Sequence, residues 1–85
     1  MPWTLIYSPR AFHQIRDLPE ATRKRVLEKL EGLADKPLLH LRKLKDSPLY
    51  SFRTGDYRVL CALSTKKLII CVVKIGHRKN VYKDI

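Results

Sequence analysis

An 85-residue chain has room for one domain, so residues 1–85 are read as a single unit whose core covers about 60% of the surface its unfolded chain exposes. Its 18 Lys and Arg stand against 8 Asp and Glu, and the formal charge of +10 is lopsided: residues 1–35 hold 6 basic and 5 acidic side chains, residues 36–85 hold 12 and 3. Such a field favours a polyanionic partner. The longest apolar run, Leu68 to Val73, is far short of the about 20 residues of a membrane helix, and the opening MPWTLIYSPR has neither the charged leader nor the cleavage site of a secretory signal. A cytoplasmic protein without a membrane partner is therefore expected. Cys61 and Cys71 lack zinc spacing and sit inside apolar runs, as buried free thiols do.

In chain order, Trp3 to Tyr7 (WTLIY) reads as an opening strand, rich in aromatic and aliphatic residues. Ser8 and Pro9 then start a helix: the serine caps free backbone N–H groups and the proline occupies the first turn without losing a hydrogen bond. Phe12, Ile15 and Leu18 form its expected apolar stripe, which ends before Pro19. In the following segment Val26, Leu27, Leu30, Leu33 and Ala34 recur with helical period, and Pro37 prevents continuation. Two such helices joined tightly predict a hairpin. Lys24, Arg25 and Lys29 interleave with Glu28 and Glu31 and read as a solvated face, and His13 and His40 read as surface residues.

Residues 38–53 mix leucines with Arg42, Lys43, Lys45 and Arg53, with a turn at Asp46–Pro48. Three strand-like runs follow, Leu49 to Arg53, Tyr57 to Leu63 and Leu68 to Ile75, separated by breaks of turn length. The predicted fold is α+β: an N-terminal strand, a two-helix hairpin and a three-stranded antiparallel meander, with the helices packed on one face of the sheet.

Register gives these strands a direction. A two-residue loop at Thr54-Gly55 or at Gly55-Asp56 puts Arg53 and Arg58 on one face and Tyr57, Val59, Cys61 and Leu63 on the other, which is apolar enough to take the helices. A two-residue loop at Thr65-Lys66 pairs Cys61 with Ile70 and Leu60 with Cys71, so the two thiols point to opposite faces and form no disulfide. The arginine face is the expected working surface.

The pattern FRTGDYRVLCAL…LIICVVKIGHRKNVY, with Tyr57-Arg58 entering one strand and Gly76-His77-Arg78 then Val81-Tyr82 leaving the next, resembles the RelE/ParE superfamily of small prokaryotic toxins. The likeness extends over nearly the whole chain. It implies the toxin of a type II toxin–antitoxin pair. In the RelE branch, favoured here, it implies an endoribonuclease that cuts mRNA in the ribosomal A site. In the ParE branch it implies an inhibitor of DNA gyrase, and a non-catalytic module bound to its antitoxin is a further alternative. The expected partners are a RelB-like antitoxin and the ribosome with its message, with DNA reached only through the antitoxin.

Cleavage by an RNA 2′-hydroxyl requires removal of its proton, stabilisation of charge on the phosphorane and protonation of the leaving 5′-oxygen, with no metal or cofactor. Arginine suits the second task because a guanidinium stays charged and forks onto two phosphate oxygens. By the resemblance, Arg58 and Arg78 occupy the places of the family's phosphate-directed arginines and Tyr82 that of its C-terminal active-site tyrosine. Arg53 adds a further cation, and Arg42, Lys43, Lys45 and Lys79 are expected RNA contacts. The enterobacterial RelE type has lysines in the strand before its Tyr-Arg, where an ungapped alignment puts Leu49 and Ser51 here. Lys43, Lys45 and His77 are then the candidate bases, imidazole being suited to proton transfer by an ordinary pKa of about 6.5.

Overall fold

A computed structural model describes residues 3–77. Strand β1 (Thr4–Tyr7) leads into helix α1 (Pro9–Arg16), helix α2 (Glu20–Leu33) and a single turn of helix, α3 (Pro37–His40). Four strands follow among the described residues: β2 (Arg42–Lys43), β3 (Tyr50–Thr54), β4 (Tyr57–Ser64) and β5 (Ile69–His77). The α+β class, the helix pair and the β3–β4–β5 meander are as the sequence predicts, and β2 and α3 are additions.

All five strands form one sheet in the order β1-β5-β4-β3-β2, with β1 parallel to β5 and every other neighbour antiparallel. Ser8 starts α1 as expected, its Oγ accepting from the Ala11 N–H at 3.0 Å. The same hydroxyl donates to the Val73 carbonyl at 2.7 Å, and the Ser8 N–H donates to the Val72 carbonyl at 2.9 Å. Where β1 ends, side chains of the departing chain thus take over backbone groups of β5. Gln14 Oε1 does the same for the Ile75 N–H at 2.9 Å. Such satisfaction is required of polar backbone at the edge of a core.

The β3–β4 loop is Gly55-Asp56, since Thr54 pairs with Tyr57. Gly55 takes φ +60°, the left-handed turn conformation that glycine adopts without a Cβ penalty. The β4–β5 connection departs from expectation. Ser64 pairs with Ile69, so the loop is four residues, 65–68, with Leu68 at φ +54°, and the partner of Cys61 is Val72 rather than Ile70. Leu60 correspondingly faces Lys74 rather than Cys71, because a bulge at Val73 shifts the register between Leu60 and Cys61. On the near side of the bulge the slip is two residues, which preserves the face of every side chain there. Cys61 and Cys71 remain on opposite faces as free thiols.

Helices cover one face of the sheet. Ala11 and Ile15 from α1, Val26, Leu30 and Leu33 from α2, and Val59, Cys61, Ile70, Val72 and Ile75 from the sheet form one buried cluster, with Leu41 beside them. Phe12 is not part of this stripe: it is 57% exposed, and Ala11 takes the inward position, allowing α1 to lie close to β5.

Candidate nucleic-acid interface

The face of the sheet away from the core cluster is built from two cross-strand rows. Arg42 on β2 pairs with Ser51 on β3, which pairs with Leu60 on β4, which pairs with Lys74 on β5. One pleat along, Arg53 pairs with Arg58, which pairs with Gly76. Residues two apart on a strand share a face, so Arg42, Ser51, Arg53 and Arg58 converge there. The inner row differs in character, as Leu60 and Lys74 are both buried.

A recess of about 350 Å³ opens where these rows meet, lined by His40, Arg42, Ser51, Arg53 and Arg58. Like charges directly opposite across two strands destabilise a sheet. The Arg53–Arg58 pair concentrates positive charge at the recess, where an anionic group such as phosphate is favoured. Arg53 also donates from Nε to the Gly55 carbonyl at 3.4 Å, which holds its stem against the turn. A second recess, of about 440 Å³, adjoins the first and shares His40 and Arg53 with it; Glu28, Lys29, Gly32, Leu33 and Phe52 complete its walls.

The sequence-predicted site residues divide. Arg58, Arg53 and Arg42 come together in the recess. Lys43 pairs with Tyr50 and so lies on the other, helix-side face of β2, its Nζ donating to the Ser47 carbonyl at 2.8 Å. Lys45 is exposed in the turn between β2 and β3. His77 pairs with Tyr57, with ring centroids 5.3 Å apart edge to face, which places it on the Tyr57 face rather than beside Arg58. Arg78, Lys79 and Tyr82 lie outside the described residues. His40 enters the recess without any sequence signal: it stands eleven positions before Ser51, and only the turn from α3 into β2 brings the two together.

Two titrating groups of the core are perturbed. Burial pushes the Cys61 thiol up to about 12, with a smaller contribution from Cys71, so it stays protonated and unreactive. Burial, followed by the Glu31 and Cys61 charges, also raises the pKa of Tyr7. A separate apolar groove of about 320 Å³ runs between α1 and α2, lined by Tyr7, Phe12, Ile15, Leu27, Arg16 and Arg23. No helix among the described residues is long and apolar enough to cross a membrane.

Over residues 5–82 the chain matches the family described as the ParE toxin of the type II toxin–antitoxin system parDE. It is 30% identical to the RelE1 toxin of Methanocaldococcus jannaschii over 88% of this chain and 89% of that one. It is 25% identical to the mRNA interferase toxin RelE of Escherichia coli K12, over 99% of this chain and 94% of that one. Among solved structures, the archaeal RelE–RelB complex from Pyrococcus horikoshii superposes with a TM-score of 0.80 at 27% identity, covering 93% of this chain and 98% of that one. The RelBE2 toxin–antitoxin complex from Mycobacterium tuberculosis shares the fold, with a TM-score of 0.85 at 23% identity, over 92% of this chain and all of the other.

Proposed function

Because the chain belongs to the RelE/ParE family of type II toxins, we propose that its outer-face arginines act on the phosphate backbone of messenger RNA in the ribosomal A site, and that the RNA's own 2′-hydroxyl does the cutting. The observation that carries this reading is the Arg53–Arg58 cross-strand pair opening, with Arg42, into one recess. Three guanidinium groups there are suited to a phosphorane, whose extra negative charge develops only in the transition state. Preorganised donors stabilise that charge more than they stabilise the ground state. The similarity to a relative named as an mRNA interferase supports the same chemistry. The roles of Arg78 as a second phosphate clamp, Lys79 as an RNA contact and Tyr82 as an active-site hydroxyl rest on the sequence resemblance.

The partners follow from the same reading. A RelB-like antitoxin neutralises the toxin, as the antitoxin complexes among similar structures suggest, the ribosome presents the message, and DNA is reached only through the antitoxin. The parDE family match favours one second reading, inhibition of DNA gyrase.

Induction in a bacterial host without antitoxin, followed by pulse labelling, separates the two. The nuclease reading expects amino-acid incorporation to fall first, with cuts inside translated messages and none in untranslated ones. Early loss of DNA synthesis over intact messages would establish gyrase inhibition instead.

A further inference from the structure

Among the described residues, the recess on the outer face holds several cationic groups but few that can move a proton. A guanidinium donates hydrogen bonds and accepts none, so Arg42, Arg53 and Arg58 supply charge rather than a proton acceptor. The Ser51 hydroxyl is a weak base and needs activation by another group. Among the described residues lining the recess, His40 carries the one imidazole, a side chain whose neutral form has a free nitrogen to accept a proton. The fold holds it in place from both sides. Pro37 and Leu41 are buried, and the Leu41 N–H closes the turn onto the Pro37 carbonyl at 2.9 Å, leaving the exposed His40 between two anchors. Among the described residues nothing hydrogen-bonds its ring.

From this placement we propose that His40 is the proton acceptor for the attacking 2′-hydroxyl, a role that rests on the nuclease reading above. The 2′-oxygen gives its proton to the imidazole and forms a bond to phosphorus. The bond from phosphorus to the 5′-oxygen breaks, and the leaving oxygen takes a proton from solvent. The products are a 2′,3′-cyclic phosphate and a 5′-hydroxyl end, and the imidazolium returns its proton to water. Among the described residues, the charged groups that line the two recesses with His40 are Arg42, Arg53 and Arg58 from the sheet and Glu28 and Lys29 from α2. His77, packed on Tyr57 on the other face, stands apart from this arrangement.

The test is single-turnover cleavage of message on programmed ribosomes between about pH 5 and 9, with thermal unfolding of each variant. A base must be uncharged to act, so the wild-type rate rises with pH and levels off as the imidazole loses its proton. His40→Gln should be about 100- to 10,000-fold slower and should lose that rising limb, because a positioned general base contributes that much. Added imidazole should restore part of the activity of His40→Ala. Arg58→Ala should be slow but keep the pH dependence, and His13→Gln, on α1, should behave as wild type. If His40→Gln cleaves within about threefold of wild type with the same pH profile, or if His40→Ala is slow, keeps that profile and gains nothing from imidazole, the proposal is wrong. A wild-type protein inert on programmed ribosomes overturns the nuclease reading and His40's role with it. An active wild type beside an equally active His40→Gln overturns His40 alone.

Discussion

Arg58 and Val59 are neighbours in sequence, yet they belong to two surfaces under opposite constraints. On the helix side of the sheet Val59, Cys61, Ile70 and Val72 are fully buried beneath Leu30 and Leu33. On the other side Arg53 and Arg58 face each other across two strands at the edge of an open recess. A sheet tolerates opposed like charges only at a cost, and minimally frustrated sequences avoid such conflicts unless function requires them. On the reading proposed above, one face is arranged for stability and the other for binding, and substitutions on the two should have effects of different kinds.

The largest expected effect comes from the core face. Leu30 is fully buried in the C-terminal half of α2, and Leu30→Ala should cost about 2–5 kcal/mol through lost burial and the cavity left behind. Chemical denaturation would show this as a lower midpoint, while cleavage per folded molecule stays near the wild-type value. A midpoint within experimental error of wild type would mean that the helix layer is not what closes this face.

Arg58→Ala should give the mirror image. Loss of a preorganised donor costs about 2.7–4 kcal/mol of transition-state stabilisation, or 100- to 1000-fold in rate. Its effect on stability should be smaller than that of Leu30→Ala, because Arg58 lies outside the core cluster. Arg58 is half-buried, so an unfolding measurement must accompany the kinetics. A variant that unfolds early but cleaves normally would remove the division between the two faces.

Which parts of this division were legible in the sequence follows from what sets each one. Local pattern fixes the elements: Ser8-Pro9 marks the start of α1, the leucine spacing marks α2, and Gly55 marks a two-residue turn. Because a hairpin loop of two residues leaves little freedom of register, the shared face of Arg53 and Arg58 is readable from the sequence. The β4–β5 register was not. Its loop has four residues with a left-handed Leu68, and its bulge at Val73 is bound up with contacts from Ser8 and Gln14, more than fifty positions away. Strand β2 is two residues long and too short for a periodic signal. Missing β2 also hid the site's composition. Without that strand there was no reason to seat Arg42 and Lys43 on opposite faces or to bring His40 beside Ser51.

The two-residue strand supplies the finest test of the comparison, because Arg42 and Lys43 carry the same charge, are both exposed, and differ mainly in the face they occupy. If RNA binds by its phosphates, log affinity falls linearly with log salt, by about 0.7 for each phosphate neutralised on a single strand. Arg42, which lines the arginine recess, is expected to account for one such contact, so Arg42→Ala should reduce the slope by about 0.7. Lys43, on the helix side with its Nζ on the Ser47 carbonyl, should change it less when replaced by alanine. Net charge falls by one unit in both variants, so a general loss of attraction would lower the two slopes equally. Binding of catalytically silenced Arg58→Ala protein to programmed ribosomes across a salt series would measure the difference without cleavage of the message. Equal slopes for the two variants would mean that RNA senses only the total charge of the chain, and a larger change at Lys43 would move the binding track around the β2 edge towards α2.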